Sequence, residues 1–362
     1  MLKITPTWRV GVPQLYAALL LLAFLGQCLW RAESRPLDGD ERAAIETGRW
    51  LWRGQPIPAD AVEPPLTELL AAAVAGVSPG TLPPRLPTVL FGLLLGGSIW
   101  YVARRLYGNA GGYVALAFYC FSPQMIARSV RVDSSVLAAW GFFGVIFTAI
   151  GAAHTLHAPL ANRVWRMWLL GLAIGLGTGA QFFVVLAVPA ALAFMLYLVP
   201  GRRAAAAAMA AASLGVGFSI LLAVYAFDSR ALAGGLRHAQ WLGLDPGLTT
   251  LRLGNLAALL YARNLAALGL AATAVGAYAL WPRCRYFGNT APLLVAAGLG
   301  ALALLAPAPS KFLFLALPFT FVFIGGIVAD LLETPRRKLV LATVVTLLVG
   351  HAALSLQVLL GS

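Results

Sequence analysis

Eleven apolar runs, most of them long enough to cross a bilayer, constrain this chain more than any other feature. They lie near 11–30, 83–103, 110–127, 134–153, 167–181, 182–200, 204–227, 254–281, 290–306, 312–331 and 338–360. A hydrocarbon core takes about 20 residues of helix. Lipid offers no partner to an exposed backbone amide, so only helices and closed barrels span it. Barrel strands alternate in polarity instead of running apolar for that length. The expected fold is therefore all-α, a polytopic membrane helical bundle of about 11 transmembrane helices. We expect one domain over 1–362, with no soluble C-terminal domain. The runs 167–181 and 182–200 are so tightly joined that one span there is broken or merged. Pro65–Gly76 is apolar but too short to cross, and suits a re-entrant or surface-lying helix.

Charge is scarce and unevenly placed. Only 11% of residues are charged, against about 25% in soluble domains. Lys3 and Arg9 precede the first apolar run as in a signal peptide, but no small-x-small site follows, so the run is read as an uncleaved span. With the N-terminus inside, eleven of the 13 acidic residues fall on the outer face. Seven of them crowd into residues 35–70: Asp38, Asp40, Glu41, Glu46, Asp60, Glu63 and Glu68. The formal net charge of +13 points to anionic lipid or phosphate partners. The basic residues are scattered between spans, which argues against nucleic acid. Cys28, Cys120 and Cys284 lie far apart and give neither a disulfide framework nor zinc spacing.

In the acidic loop, Glu41–Arg53 reads as an amphipathic helix with Asp40 as its N-cap. Trp50 and Trp52 suit the membrane–water boundary. By spacing alone this is a solvated helix with a capping Asp.

Five stretches, taken in order, carry a resemblance. "GDERAAIETGRWLWRGQPI…VEPPLTELLAAAVAG" resembles the first outer loop of the GT-C glycosyltransferases, in the branch of the protein O-mannosyltransferases and the lipid A aminoarabinose transferase. "PPRLPTVLFGLLLGGSIWYVARRLYG", "SPQMIARSVRVDSSVLAAW", "GLAIGLGTGAQFFVVLAVPA" and "APSKFLFLALPF" are similar to segments that follow in the same family. Two positions depart from the pattern. Glu63 stands before Pro64-Pro65 where relatives have Lys or His, and Gln181 closes "TGAQ", which lacks the Lys common after that threonine.

The resemblance implies inverting transfer of a sugar from a polyprenyl-phosphate donor to a lipid, glycan or protein acceptor. The site would face outward, among membrane lipids; the Arg- and Ala-rich composition suggests a GC-rich bacterial genome and hence a bacterial inner membrane. Asp40 is the implied general base, with Glu41 orienting it or the acceptor; a first-turn Glu favoured by the helix dipole is the other reading of Glu41. Lys311, Arg131 and Arg128 are candidates to meet the charge that grows on the leaving phosphate. Arg128 and Arg131 share a face if that stretch is helical, and Asp133 pairs with an arginine. Glu63 and Arg263 complete the substrate-binding set, Arg263 because a charge within an apolar run is costly. In the second outer loop, Arg230, Arg237, His238 and Trp241 either cover the substrate or belong to an ordinary surface loop. No cofactor is expected. A divalent metal, held by Asp38 and Asp40, is compatible with the residues but not indicated. A transporter or flippase of a lipid-linked intermediate is the alternative, and would place its charges along a path through the bilayer. A non-catalytic binding relative is the third reading.

Overall fold

The computed structural model describes residues 11–57, 63–77, 80–157, 159–239, 265–305 and 309–360. Among them it forms α-helices and short 3-10 turns and no strand. The helices are α1 (Val12–Ser34), α2 (Gly39–Trp52), α3 (Leu66–Ala75), α4 (Leu86–Cys120), α5 (Pro123–Ser129), α6 (Ser135–Thr155) and α7 (Leu160–Ala180). After these come α8 (Ala187–Leu198), α9 (Arg203–Val224), α10 (Ser229–His238), α11 (Leu265–Leu280), α12 (Phe287–Leu305), α13 (Pro309–Leu332) and α14 (Arg337–Leu360). Seven candidate spans among the described residues are long and apolar enough to cross a membrane; they lie in α1, α4, α6, α9, α12, α13 and α14. The chain is thus a polytopic helical membrane bundle.

The two expected runs at 83–103 and 110–127 sit on the two arms of α4. The helix is interrupted at Gly108, whose φ of 77° and ψ of −173° are not helical. A residue with a side chain rarely adopts that φ. The arms fold back on each other: a Cβ at Gly112 would lie 3.0 Å from the Arg104 Cβ, eight residues earlier. Tyr119 Oη, on the second arm, donates to the Gly92 carbonyl on the first at 2.5 Å. The second arm then breaks at Phe121, and Ser122 restarts the chain as the N-cap of α5, with Pro123 in its first turn.

Burial separates centre from rim. In α6 and α13, 72% and 78% of the most apolar window is buried, against 17% in α1 and α14. Phe143 and Phe147 of α6 meet Phe319 of α13, with ring centroids 5.3 and 5.7 Å apart. The second arm of α4 adds Phe118 and Tyr119 beside Phe321. The joined runs 167–181 and 182–200 resolve into α7, a 3-10 turn over Phe182–Leu186, and the twelve-residue α8.

At one end of the bundle lie α2 and α3, neither long enough to span. They cross at Gly48, where a Cβ would lie 2.0 Å from the Glu68 carbonyl oxygen, so only glycine lets the two backbones approach. Trp52 Nε1 donates to the Leu69 carbonyl at 2.8 Å and pins the end of α2 to α3.

Candidate active site

The segment between α1 and α4 is held by a buried ion pair. Arg85, at the start of α4, is fully buried, and Glu41 of α2 is 1% exposed. A guanidinium has five N–H donors, and Arg85 makes five bonds. Two run to the Glu41 carboxylate, Nε to Oε1 at 2.9 Å and Nη2 to Oε2 at 2.6 Å. The others reach the carbonyls of Ala32, Arg35 and Pro36 at 2.7, 2.7 and 3.1 Å. Glu41 also accepts from the amides of Asp38 and Val132, each at 3.1 Å. Burial alone would raise its pKa; the Arg85 and amide bonds outweigh that and hold it below the ordinary glutamate value. All four acceptor directions of Glu41 are thus occupied. With Arg85 it ties together the end of α1, the start of α2, the entry to α4 and the turn after α5.

The cap of α2 differs from the sequence reading. Asp38, not Asp40, is the N-cap, accepting from the Glu41 amide at 2.9 Å, while the Glu41 side chain bonds back to the Asp38 amide in a capping box. The helix therefore begins two residues earlier than expected. Asp38 also pairs with Arg35 at 2.6 Å and Arg131 at 2.9 Å. The Glu41 amide, then these two cations, hold its pKa below the ordinary value. Asp40 falls in the first turn and is exposed. Among the described residues its carboxylate has no hydrogen bond or ion pair.

A second cluster gathers side chains from four distant stretches. Glu63 Oε2 accepts from Ser134 Oγ at 2.8 Å, and Ser134 Oγ accepts from Gln181 Nε2 at 2.7 Å. Lys311 Nζ stands 3.4 Å from Glu63 Oε1 and 4.4 Å from the centroid of the Phe183 ring. The two clusters are one site, because residues 131–134 join them. Arg131 and Val132 contact the Asp38–Glu41 side, Ser134 contacts Glu63, and three residues of chain span at most about 11 Å.

Most of the candidates meet here. Asp40, Glu41, Glu63, Arg131 and Lys311 belong to this end of the bundle. Arg128 belongs too, but it does not share a helical face with Arg131. α5 stops at Ser129, and Arg128 turns to Asp133 at 3.2 Å, the pairing expected of Asp133. Arg263 and Trp241 lie outside the described residues. Arg230, Arg237 and His238 sit on α10, which Asp228 caps by accepting from the Arg230 and Ala231 amides. Asp38 is paired with Arg35 and Arg131, and no group of three His, Cys, Asp or Glu side chains suited to a metal occurs among the described residues.

Sequence reasoning missed Arg85, Ser134 and Gln181 as members. Arg85 carried one usable signal, a lone arginine between prolines at the mouth of a span, where a buried charge demands a partner.

Glu68, in the first turn of α3, was read only as one of the loop's carboxylates. Its Oε2 is buried without a hydrogen-bond partner. Burial, with Glu63 nearby, pushes its pKa up to about 7. From about pH 4.5 to 7 the folded state keeps a proton that the unfolded chain has lost, so stability falls as pH rises through that window. Glu68→Gln is expected to flatten this slope and to gain up to about 3 kcal/mol over the parent at pH 8. Apparent melting temperatures of both proteins in detergent, measured from pH 4 to 9, check it; parallel curves would contradict it.

Residues 62–227 match the family model described as dolichyl-phosphate-mannose-protein mannosyltransferase. Glu63, Arg128, Arg131, Ser134 and Gln181 fall inside that stretch; Asp40, Glu41 and Lys311 fall outside it. Among curated proteins no sequence matches. The fold is similar to ArnT from Cupriavidus metallidurans in the apo state, with 16% identity, a TM-score of 0.69, and coverage of 93% of this chain and 61% of that one. The same enzyme bound to undecaprenyl phosphate gives 16% identity, a TM-score of 0.68, and coverage of 94% and 62%. The Archaeoglobus fulgidus oligosaccharyltransferase in the apo form gives 12%, 0.67, 96% and 56%. This chain therefore spans about 56–62% of the length of those proteins. The chain has the fold of the GT-C glycosyltransferases and resembles, over residues 62–227, their protein O-mannosyltransferase branch.

Proposed function

We propose that this chain is an integral membrane glycosyltransferase. It moves a sugar from a polyprenyl-phosphate donor to a lipid, glycan or protein acceptor at the outer face of a bacterial inner membrane. One observation carries the reading. At the end of the bundle where Arg35, Arg85, Arg128, Arg131 and Lys311 are each paired with a carboxylate, Asp40 alone of the first-turn acids of α2 keeps an exposed carboxylate with no partner among the described residues. A helix anchored through Glu41 holds it there.

The chemistry follows from those residues. The acceptor hydroxyl oxygen attacks the anomeric carbon as its proton passes to the Asp40 carboxylate. The bond from that carbon to the phosphate oxygen breaks, and its electron pair stays on the phosphate. A single displacement from the opposite side inverts the anomeric centre. The growing phosphate charge is met by Lys311, which exchanges Glu63 for the phosphate, with Arg131 and Arg128 beside it. A relative of similar fold bound to undecaprenyl phosphate supports a lipid-phosphate donor. Gathering of most of the carboxylates at one end, instead of along a path through the bilayer, supports a transferase over a transporter.

Purified protein in nanodiscs, given polyprenyl-phosphate sugars and a membrane extract as acceptor, is expected to release free polyprenyl phosphate as sugar appears on the acceptor. Lys311→Ala and Arg131→Ala should raise the donor KM about tenfold, the loss of one charge-assisted contact, with a smaller effect on the acceptor KM. Movement of intact lipid-linked sugar across the bilayer without release of polyprenyl phosphate would overturn the reading in favour of a transporter.

A further inference from the structure

Glu63 and Gln181 are 118 residues apart, and each lies in a stretch that departs from the pattern this chain resembles. In space they touch. Gln181 Nε2 lies 3.4 Å from Glu63 Oε1, and Ser134 bridges them at 2.7 and 2.8 Å. Gln181 is 6% exposed, fixed where α7 ends, with its amide bonded to the Gly177 carbonyl at 2.9 Å. The Glu63 side chain is 42% exposed. A buried carboxamide and a hydroxyl thus hold a carboxylate that remains open to a ligand.

The neighbour of this carboxylate decides what that ligand presents. Lys311 Nζ is 3.4 Å away and rests over Phe183. In a glycosyl phosphate the anomeric carbon is one bond from a phosphate oxygen, and the next ring carbon carries a substituent of its own. A phosphate seated on Lys311 therefore brings the sugar ring against Glu63. An ionised carboxylate only accepts hydrogen bonds, so it binds hydroxyl or ammonium groups, and more strongly than a neutral acceptor does. It repels a carboxylate or a second phosphate. Glu68, when ionised, adds negative charge close by, and Lys311 is spent on the donor phosphate.

We propose that Glu63, positioned by Ser134 and Gln181, is the sugar-recognising subsite of the donor. It takes a polyprenyl-phosphate sugar whose ring offers only free hydroxyls or an amine to it, and it rejects one whose ring carries a carboxylate. The inference rests on the reading that Lys311 receives the donor phosphate.

The test measures binding of three lipids to the full chain in nanodiscs by native mass spectrometry: undecaprenyl phosphate, undecaprenyl-phosphate glucose and undecaprenyl-phosphate glucuronate, the last two differing only in the carboxylate. The parent is expected to hold the glucosyl lipid at least about tenfold more tightly than the glucuronyl lipid, the scale of one charged contact. Glu63→Gln should bring that ratio close to one, with undecaprenyl phosphate itself bound at least as tightly because Lys311 is released. Glu63→Lys should reverse the preference. Ser134→Ala removes the bridge and no charge, and should narrow the ratio part-way. The ratio is read within each protein, so differences in folded yield cancel. An unchanged ratio in Glu63→Gln and Glu63→Lys, with undecaprenyl phosphate still bound, would overturn the subsite alone. A parent protein that does not bind undecaprenyl phosphate would overturn the phosphate site and the subsite together.

Discussion

Asp40→Asn is expected to give a folded, membrane-inserted protein whose transfer rate is lower by about 10²–10⁴-fold, the usual contribution of a general base. The structure makes this a clean substitution. Asp40 is not the cap of α2, so the capping box of Asp38 and Glu41 survives. Its carboxylate is exposed and has no ion pair among the described residues to lose. What disappears is the proton acceptor. The comparison is made at equal amounts of folded protein, with transfer followed by release of free polyprenyl phosphate. Near-normal transfer would remove Asp40 from the reaction and direct attention to Glu63, since Asp38 is already held by Arg35 and Arg131.

The second large effect concerns folding. Arg85→Leu or Glu41→Leu leaves one buried charge without its partner, a loss of about 3–5 kcal/mol for pairs of this kind. Each single variant should unfold at a markedly lower temperature in detergent or fail to accumulate. The double variant Arg85→Met with Glu41→Leu removes both charges together, and apolar replacement of a whole buried pair is often neutral. It should recover much of the stability lost by either single change, although the carbonyls of Ala32, Arg35 and Pro36 lose their donor. Equal stability of the singles and the parent would contradict the anchor. The contrast with Asp40 is informative: neighbours in sequence, one carboxylate holds the loop and the other is left free.

Much of the bundle was legible because lipid imposes length and apolarity together. Each expected run for which residues are described lies mostly on helix, including the pair that meets at Gly108, although seven helices among the described residues, against about eleven expected, are long and apolar enough to cross. That turn was hidden in the wording "RRLYGN", since nothing local says that Gly108 is the residue to take a positive φ. The cap of α2 was legible in principle. Asp38 and Glu41 have the three-residue spacing of a capping box, and the adjacent "DE" drew the boundary two residues too late. Side-chain partners were less accessible. Arg85 finds Glu41 across 44 residues, and Glu63 finds Lys311 across 248. Periodicity is silent on contacts at such separations. The resemblance brought Asp40, Arg131 and Lys311 forward as candidates; the fold then showed which carboxylate each cation faces.

The most direct measurement follows lipids and surface glycans by mass spectrometry in a strain lacking this chain, complemented with the parent or with Asp40→Asn. The account predicts that a polyprenyl-phosphate sugar accumulates in the deletion strain while one sugar disappears from an acceptor, and that the parent but not Asp40→Asn reverses both changes. Unchanged lipid-linked sugars in the deletion strain, or full rescue by Asp40→Asn, would contradict it.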